Sequence, residues 1–427
     1  MNQNLTVPTV TVEGTSYVVR WDEGVKVECA RLYEHRDKHI EATVRISDVH
    51  EIDGPRVLGP VRTYITKSWR TIISELDDVS HRSDWRQRLT QLSELVQQEY
   101  LAGSPVVALH KVENPVPTQE LITNILWEGT VCIVYGAGGI GKSIFGLNFI
   151  QGMHLGRPVA DHETIQKNAL WLDWETTENL AYWRNAQLLT GIGLEAEDWH
   201  DPVRPDSPRG NMVFYKEMVG SLADNVESVA DEIDRYNISV LLVDSAIPAC
   251  GGEAESTKPS QEFFNALRAV KPRGRDLSTI VIAHVTKESA NTKPANTTPF
   301  GSTVWKDRAR DTYFLQASQK KNASYTDFAL HHIKSNMGPL NNVLGYRLSW
   351  ADGCTMERID IKENKELITG LPIADQAHIS ISQNGALSTD ELADAIGESK
   401  TSISTMLSRD DRFVSNNGKW EPSEIDF

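Results

Sequence analysis

Residues 135–143 read YGAGGIGKS, and their reading decides the fold. Gly136, Gly141, Lys142 and Ser143 satisfy the phosphate-loop pattern G-x-x-x-x-G-K-[ST], with Ala137, Gly138, Gly139 and Ile140 between them. The stretch before it, Val131 to Val134, is apolar and suits a buried strand; Ile144, Phe145, Leu147, Phe149 and Ile150 after it suit a helix packed on that strand. Strand, glycine loop and helix N-terminus together make a phosphate site, because the loop N–H groups converge on the anion. In such a loop Lys142 reaches the β and γ phosphates of ATP and the Ser143 hydroxyl ligates Mg²⁺.

Working outward, the apolar runs alternate with helical patterns, as a parallel sheet requires. Ala169–Trp174 leads to Glu175, Ile238–Val243 to Asp244, and Thr279–Ala283 to His284. Ligands of an open α/β sheet bind outside the carboxyl ends of its strands, so these three polar residues are expected to share one site. Asp244 reads as the Walker B aspartate, a holder of Mg²⁺ beside Ser143. Glu175 reads as the base that orients the attacking water, against the plainer reading of a solvated carboxylate at a helix start. His284 reads as a sensor of the γ-phosphate, or as a satisfied structural histidine. Arg184, on the next helix after Glu175, is either a structural ion pair or a site residue.

Composition bounds the rest. The chain has 427 residues, 40% hydrophobic and 24% charged, with a formal net charge of -16. That is an ordinary globular balance, and it argues against a basic surface coating duplex DNA, though not against a local basic channel. Cys29, Cys132, Cys250 and Cys354 are far apart and form no C-x-x-C pair, so they read as small buried hydrophobes. No signal peptide and no membrane-spanning apolar run is visible; a reducing cytoplasm is expected.

The expected organisation is α/β with two flanking units. Residues 1–104 read as a small α+β domain: a loose arm to 13, a sheet over 16–48 with a turn at Asp37–Lys38, a helix over 66–76, and a second helix capped by Ser83. Residues 105–118 read as a linker, 119–350 as the ATPase domain with a mainly parallel sheet, and 351–385 as a connector with a strand. Within the domain, 287–302 reads as a long mobile loop. Residues 386–427 read as helix, turn, helix and a hairpin turning at Asn417–Gly418, the order of a winged helix-turn-helix. Its presumed recognition helix, 399–407, is rich in Ser and Thr with few cations, so protein contact is an alternative to base reading.

The ordered set PTQELI, YGAGGIGKS, LWLDWE, LLVDS, IAHVTK, FGSTVWKDRAR and KSNMG resembles the RecA-like hexameric ATPases of the RepA replicative-helicase type, over about residues 115–350. The resemblance implies a RecA-like core, a homo-oligomeric hexameric ring, and translocation on single-stranded DNA. It makes Glu175 the catalytic base, and matches His284 and Lys287 to the family's histidine and lysine. It matches Arg310 to an arginine finger projecting into a neighbour's site, and Lys334, Asn336 and Gly338 to K-x-N-x-G, with Lys334 near the same γ-phosphate. From the residues alone, the plainer alternative for Arg310 is a surface salt bridge with Asp307 or Asp311, and Arg308 competes for its role. Two functions stand: a replicative helicase of a mobile element, contacting a replication partner through its end domains, or a nucleotide-switched regulatory or recombinase-like ATPase that recruits partners without unwinding.

Overall fold

The computed structural model describes residues 7–423 apart from 14–15, 35–37, 51–55, 68, 81, 83, 104–105, 107, 110–116, 195–212, 253–255, 273–274, 286–293, 295–296, 300 and 302. Asp37, Ser83, Lys287 and most of the expected linker and 287–302 loop lie outside the described residues. The chain divides into two compact units. One takes residues up to 119 with 218–241 and 247–278; the other takes 120–217, 242–246 and 279 onward.

In the first unit, β1 (Thr9–Glu13), β2 (Ser16–Arg20), β3 (Val25–Glu34), β4 (Ile40–Asp48) and β5 (Arg56–Tyr64) form an antiparallel sheet in that order. Ile40, Ala42, Val44 and Ile46 of β4 are buried, as their alternation predicts. Two strands differ from expectation. The supposed arm contributes β1, an edge strand. β5 carries Gly59 and Pro60, which argue against a strand; it forms because it lies at the other edge and its register shifts there. The helix expected at 66–76 is α1 (Arg70–Val79). It starts late because the Thr66 hydroxyl accepts the Ile40 N–H at 2.9 Å and keeps that segment on the sheet. In α2 (Trp85–Ala102) the N-cap is Asp84. Trp69, Ile72, Leu76, Trp85, Leu89, Leu92 and Val96 of these segments pack on the sheet in one core.

The larger sheet's segment begins with the hairpin of β6 (Glu120–Ile122) and β7 (Leu126–Trp127), then β8 (Val131–Gly136), α3 (Lys142–Leu155), β9 (Ala169–Asp173), α4 (Glu178–Gly191) and β10 (Val213–Glu217). It continues with α5 (Val226–Arg235), β11 (Val240–Asp244), α6 (Ala246–Ala249), α7 (Thr257–Ala269), β12 (Ser278–His284), α8 (Val304–Arg308), β13 (Asp311–Ser318), β14 (Tyr325–Ser335), β15 (Leu344–Ser349) and β16 (Thr355–Ile359). The sheet order is β10-β9-β11-β12-β8-β13-β14-β15-β16. β8 pairs in parallel with both β12 and β13, while β14, β15 and β16 extend the sheet antiparallel. The central strands are buried on both faces, which explains their unbroken apolar runs. Helices α5 and α7 belong to the first unit, where Arg31, at a bulge in β3, pairs with Asp231 and Asp234 of α5. All four cysteines are free and buried, as expected. No helix among the described residues is long and apolar enough to cross a membrane.

The stretch read as a connector holds the expected strand, β16, and beyond expectation α9 (Lys365–Ile368) and α10 (Ile373–Asn384). After it come α11 (Thr389–Ile396), α12 (Lys400–Leu407), β17 (Phe413–Asn416) and β18 (Lys419–Pro422), with Asn417 and Gly418 both at positive φ in the turn. Ala377 and Ile381 of α10 complete the core formed by Leu392, Ala393, Ile403, Leu407 and Phe413. Residues 386–423 therefore share their core with the helix before them. Ile381→Ala is expected to cost about 2–4 kcal/mol and to speed protease cutting within 388–423 while ATP turnover stays nearly intact. Unchanged proteolysis would mean that this core closes without α10.

Candidate active site

Five of the residues picked out from sequence converge at the carboxyl ends of β8, β9, β11 and β12. The loop closing β8 is shaped for close backbone approach. A Cβ on Gly136 would lie 2.5 Å from the Leu315 carbonyl oxygen, and Gly141 has φ 98°, so neither position tolerates a side chain. A Cβ on Gly139 would meet nothing within 4 Å, which leaves the cradle open on the ligand side. Lys142 is 4% exposed. Its ammonium donates to the Ala137 carbonyl at 2.6 Å and lies 3.3 Å from His284 Nδ1. Burial pulls its pKa down to about 8, against the pull of Asp244 and Glu175.

An ammonium only donates, so His284 Nδ1 is the acceptor and its Nε2 carries the proton. That Nε2 lies 3.4 Å from Glu175 Oε1, which also accepts from the Ser245 hydroxyl at 2.6 Å. The His284 bond, then Ser245 and the Lys142 charge, hold the Glu175 carboxyl well below its usual range, at about 2, despite partial burial. Lys142, His284, Glu175 and Ser245 thus form one hydrogen-bonded chain across the ends of four strands.

Two participants escaped the sequence reading. Asp173, fully buried, accepts the N–H groups of Glu175 at 2.8 Å and Thr176 at 3.2 Å, and also the Thr176 hydroxyl. This Asx turn ends β9 and aims Glu175 away from the core. Its sequence signal is the Asp two residues before Glu175 with Thr176 after it. Ser245, directly after Asp244, is the other. The Trp174 N–H donates to the Asp244 carbonyl at 2.8 Å, which fixes the two strand ends to each other.

Asp244 is 1% exposed. Burial pushes its pKa up to about 6, the Asp173 and Glu175 carboxylates add to this, and Ser143 and Arg184 pull it down. Ser143 is near enough to exert that pull, yet no donor among the described residues reaches either carboxylate oxygen at hydrogen-bonding geometry. Two orphaned, buried carboxylate oxygens beside a serine hydroxyl suit Mg²⁺ ligated by Ser143 and neutralised by Asp244. Arg184 on α4 has a buried Nη1 without a hydrogen-bond partner among the described residues.

The raised pKa of Asp244 has a stability consequence. Its folded value, about 6, exceeds the 3.8 of an ordinary aspartate. Stability without ligand is therefore greatest below the lower value and falls as pH rises through the higher one. Asp244→Asn is expected to stabilise the nucleotide-free protein at pH 7, by up to about 2–3 kcal/mol, with the gain vanishing at low pH. A lower melting temperature for the variant at pH 7 would contradict this.

Arg310 and Lys334 lie elsewhere. The Arg310 N–H donates to the Val131 carbonyl at 2.8 Å, at the start of β8. The phosphate loop follows the other end of that strand, about 17 Å away at 3.3 Å per residue. Lys334 pairs across the sheet with Thr312, at the same end as Arg310. Among the described residues no ion pair joins Arg310 to Asp307 or Asp311; Asp311 meets His332 at 3.2 Å instead. Arg308 and Arg310 are both exposed.

The sheet order, the phosphate loop and the polar strand ends define a P-loop ATPase with a RecA-like core. In agreement, the family described as "AAA domain" matches residues 97–290, a span that contains Lys142, Glu175, Asp244 and His284 but stops before Arg310 and Lys334. No curated protein matches the chain. Among solved structures, a KaiC-like protein from the hyperthermophilic archaeon Pyrococcus horikoshii is similar at 12% identity and a TM-score of 0.38, over 58% of this chain and 100% of that one.

Proposed function

We propose that the protein is an ATP-driven homo-oligomeric ring motor, a hexamer that acts on single-stranded DNA as the replicative helicase of a mobile element. The observation that carries the ring is the division of the site. Loop, base and aspartate gather at one end of the strands, while Arg310 lies at the opposite end of β8, too far to reach its own loop. A second copy can bring its Arg310 to the first copy's γ-phosphate. The motif order KDRAR and KSNMG supports the same reading, and with it the DNA substrate.

In this reading Lys142 leaves Ala137 and His284 for the incoming phosphates. His284, freed of Lys142, keeps its Nε2 proton directed at Glu175 and reports the γ-phosphate to the segment that follows it. Glu175 orients the attacking water. Ser143 and Asp244 hold Mg²⁺, which when bound neutralises charge on the phosphate oxygens. Arg310 of the neighbour stabilises the charge that develops on the γ-phosphate.

One observation favours a second reading, a nucleotide-switched ATPase that recruits proteins. In the C-terminal helices and hairpin, Lys400 pairs with Asp390, Lys419 with Glu391, and Arg412 with Asp375 and Asp410. Cations neutralised by their own unit are poorly placed to meet DNA phosphates. The experiment that separates the readings is ATP turnover with and without single-stranded DNA, with particle mass measured in both samples. A ring motor gives a hexameric mass and turnover stimulated several-fold by DNA; unstimulated turnover from a ring favours the switch, and a monomer at full turnover removes both.

A further inference from the structure

The side chain of Lys334 meets backbone. Its ammonium donates to three carbonyls at the end of α8: Lys306 at 2.8 Å, Asp307 at 3.2 Å and Ala309 at 2.6 Å. These belong to the last turn and C-cap of a short helix, where carbonyls have no intrahelical donor, and a cation suits that negative end. An ammonium has three N–H donors and no acceptor. All three are taken, so none is left for a phosphate oxygen unless the end of α8 is undone.

What those bonds hold is the turn from Arg308 to Arg310. The Arg310 backbone is fixed on both sides: its N–H donates to the Val131 carbonyl at 2.8 Å, and its own carbonyl accepts the Asn336 N–H at 2.8 Å. The first and third residues of the K-x-N-x-G stretch thus grip one turn, Lys334 through its side chain and Asn336 through its backbone. Alternate residues of a strand end supply these grips, which gives the spacing a physical reason within this chain. The Arg310 side chain stays exposed beyond the held backbone. Burial lowers the Lys334 pKa, and the Arg310 and Lys306 charges add to this against the pull of Asp307 and Asp311, as expected of an ammonium lodged beside that turn.

We propose that Lys334 is a positioning residue, which fixes the Arg308–Arg310 turn so that Arg310 is presented to the neighbouring subunit, and that it does not itself touch nucleotide. The proposal rests on the reading of Arg310 as a residue delivered in trans. It predicts that the effect of Lys334 passes entirely through Arg310.

A double-mutant cycle on the full chain tests this. Lys334→Met keeps the side chain's length and loses its donors; single-turnover hydrolysis of labelled ATP keeps slow variants measurable. Lys334→Met is expected to lower kcat about tenfold or more with little change in the KM for ATP, and Arg310→Ala about a thousandfold. The double variant should match Arg310→Ala within about threefold, because without the arginine there is nothing left to position. A double variant slower than Arg310→Ala by the full factor of Lys334→Met alone would show an independent contact and overturn the proposal. So would a raised KM as the main effect of Lys334→Met. Lys334→Gln, with a milder loss, serves as the second variant if the first does not fold, and its double with Arg310→Ala should also collapse onto Arg310→Ala. Full activity of Arg310→Ala would instead remove the trans reading itself, and a surviving Lys334 effect in that case would also refute the positioning role.

Discussion

Arg310→Ala is expected to reduce ATP turnover about a thousandfold while leaving the folded subunit and its nucleotide affinity nearly unchanged. Charge grows on the γ-phosphate oxygens in the transition state, and a guanidinium meets two of them with parallel N–H donors. Arg310→Lys should recover little, since an ammonium is a point charge without that fork. Folding should be indifferent, because the side chain is exposed and no described ion pair holds it. Arg308→Ala is the control: it lies on the same turn and is also exposed. A deep loss in Arg308→Ala with normal Arg310→Ala would transfer the role to its neighbour.

The second large effect is expected at Glu175. Glu175→Gln should keep nucleotide affinity and lose hydrolysis about a hundredfold or more, whereas Lys142→Ala should lose affinity first. The carboxylate is held at about 2 by His284 and Ser245, so it is ionised at every working pH. Such a group is a weak proton acceptor, and its larger contribution is to orient water. Two consequences follow from the sign of that shift. Its ionised form is favoured in the folded protein, so this contribution to stability is complete above the ordinary carboxylate range and is lost only as pH falls toward the folded value. The pH–rate profile should accordingly show no acid limb near pH 4–5 from Glu175. Near-normal turnover in Glu175→Gln at equal affinity would sink the assignment.

The cluster at the carboxyl ends of the strands was legible because two sequence signals coincide there. Buried parallel strands are unbroken apolar runs, and each run stops at a polar residue where the chain leaves the core. Ala169–Trp174, Ile238–Val243 and Thr279–Ala283 stop at Glu175, Asp244 and His284, and Val131–Val134 runs into the glycine loop, so these positions fall together. Asp173 and Ser245 were hidden for the converse reason. Asp173 ends a strand but turns inward to its own backbone, and Ser245 matters only through a carboxylate on another strand. The contacts of Lys334 are not legible in the sequence: its partners are backbone carbonyls, which no side-chain pattern announces. At the periphery, Gly59 and Pro60 masked β5, since an edge position forgives what a central strand would not. The helix from Ile373 to Asn384 was overlooked because its apolar residues serve two small cores, Ile379 one and Ala377 with Ile381 the other, which blurs its amphipathic face.

Subunit mixing tests the shared site most directly. Arg310→Ala and Glu175→Gln proteins are prepared separately, and each is expected to be nearly inactive alone. In a mixed ring an Arg310→Ala subunit still carries Glu175, and its Glu175→Gln neighbour still carries Arg310, so some interfaces hold both. Mixtures shown by native mass to contain both subunits should therefore recover hydrolysis, with a maximum near equal proportions. Mixed rings of confirmed composition that remain as inactive as their parents would contradict a site completed by the neighbouring subunit.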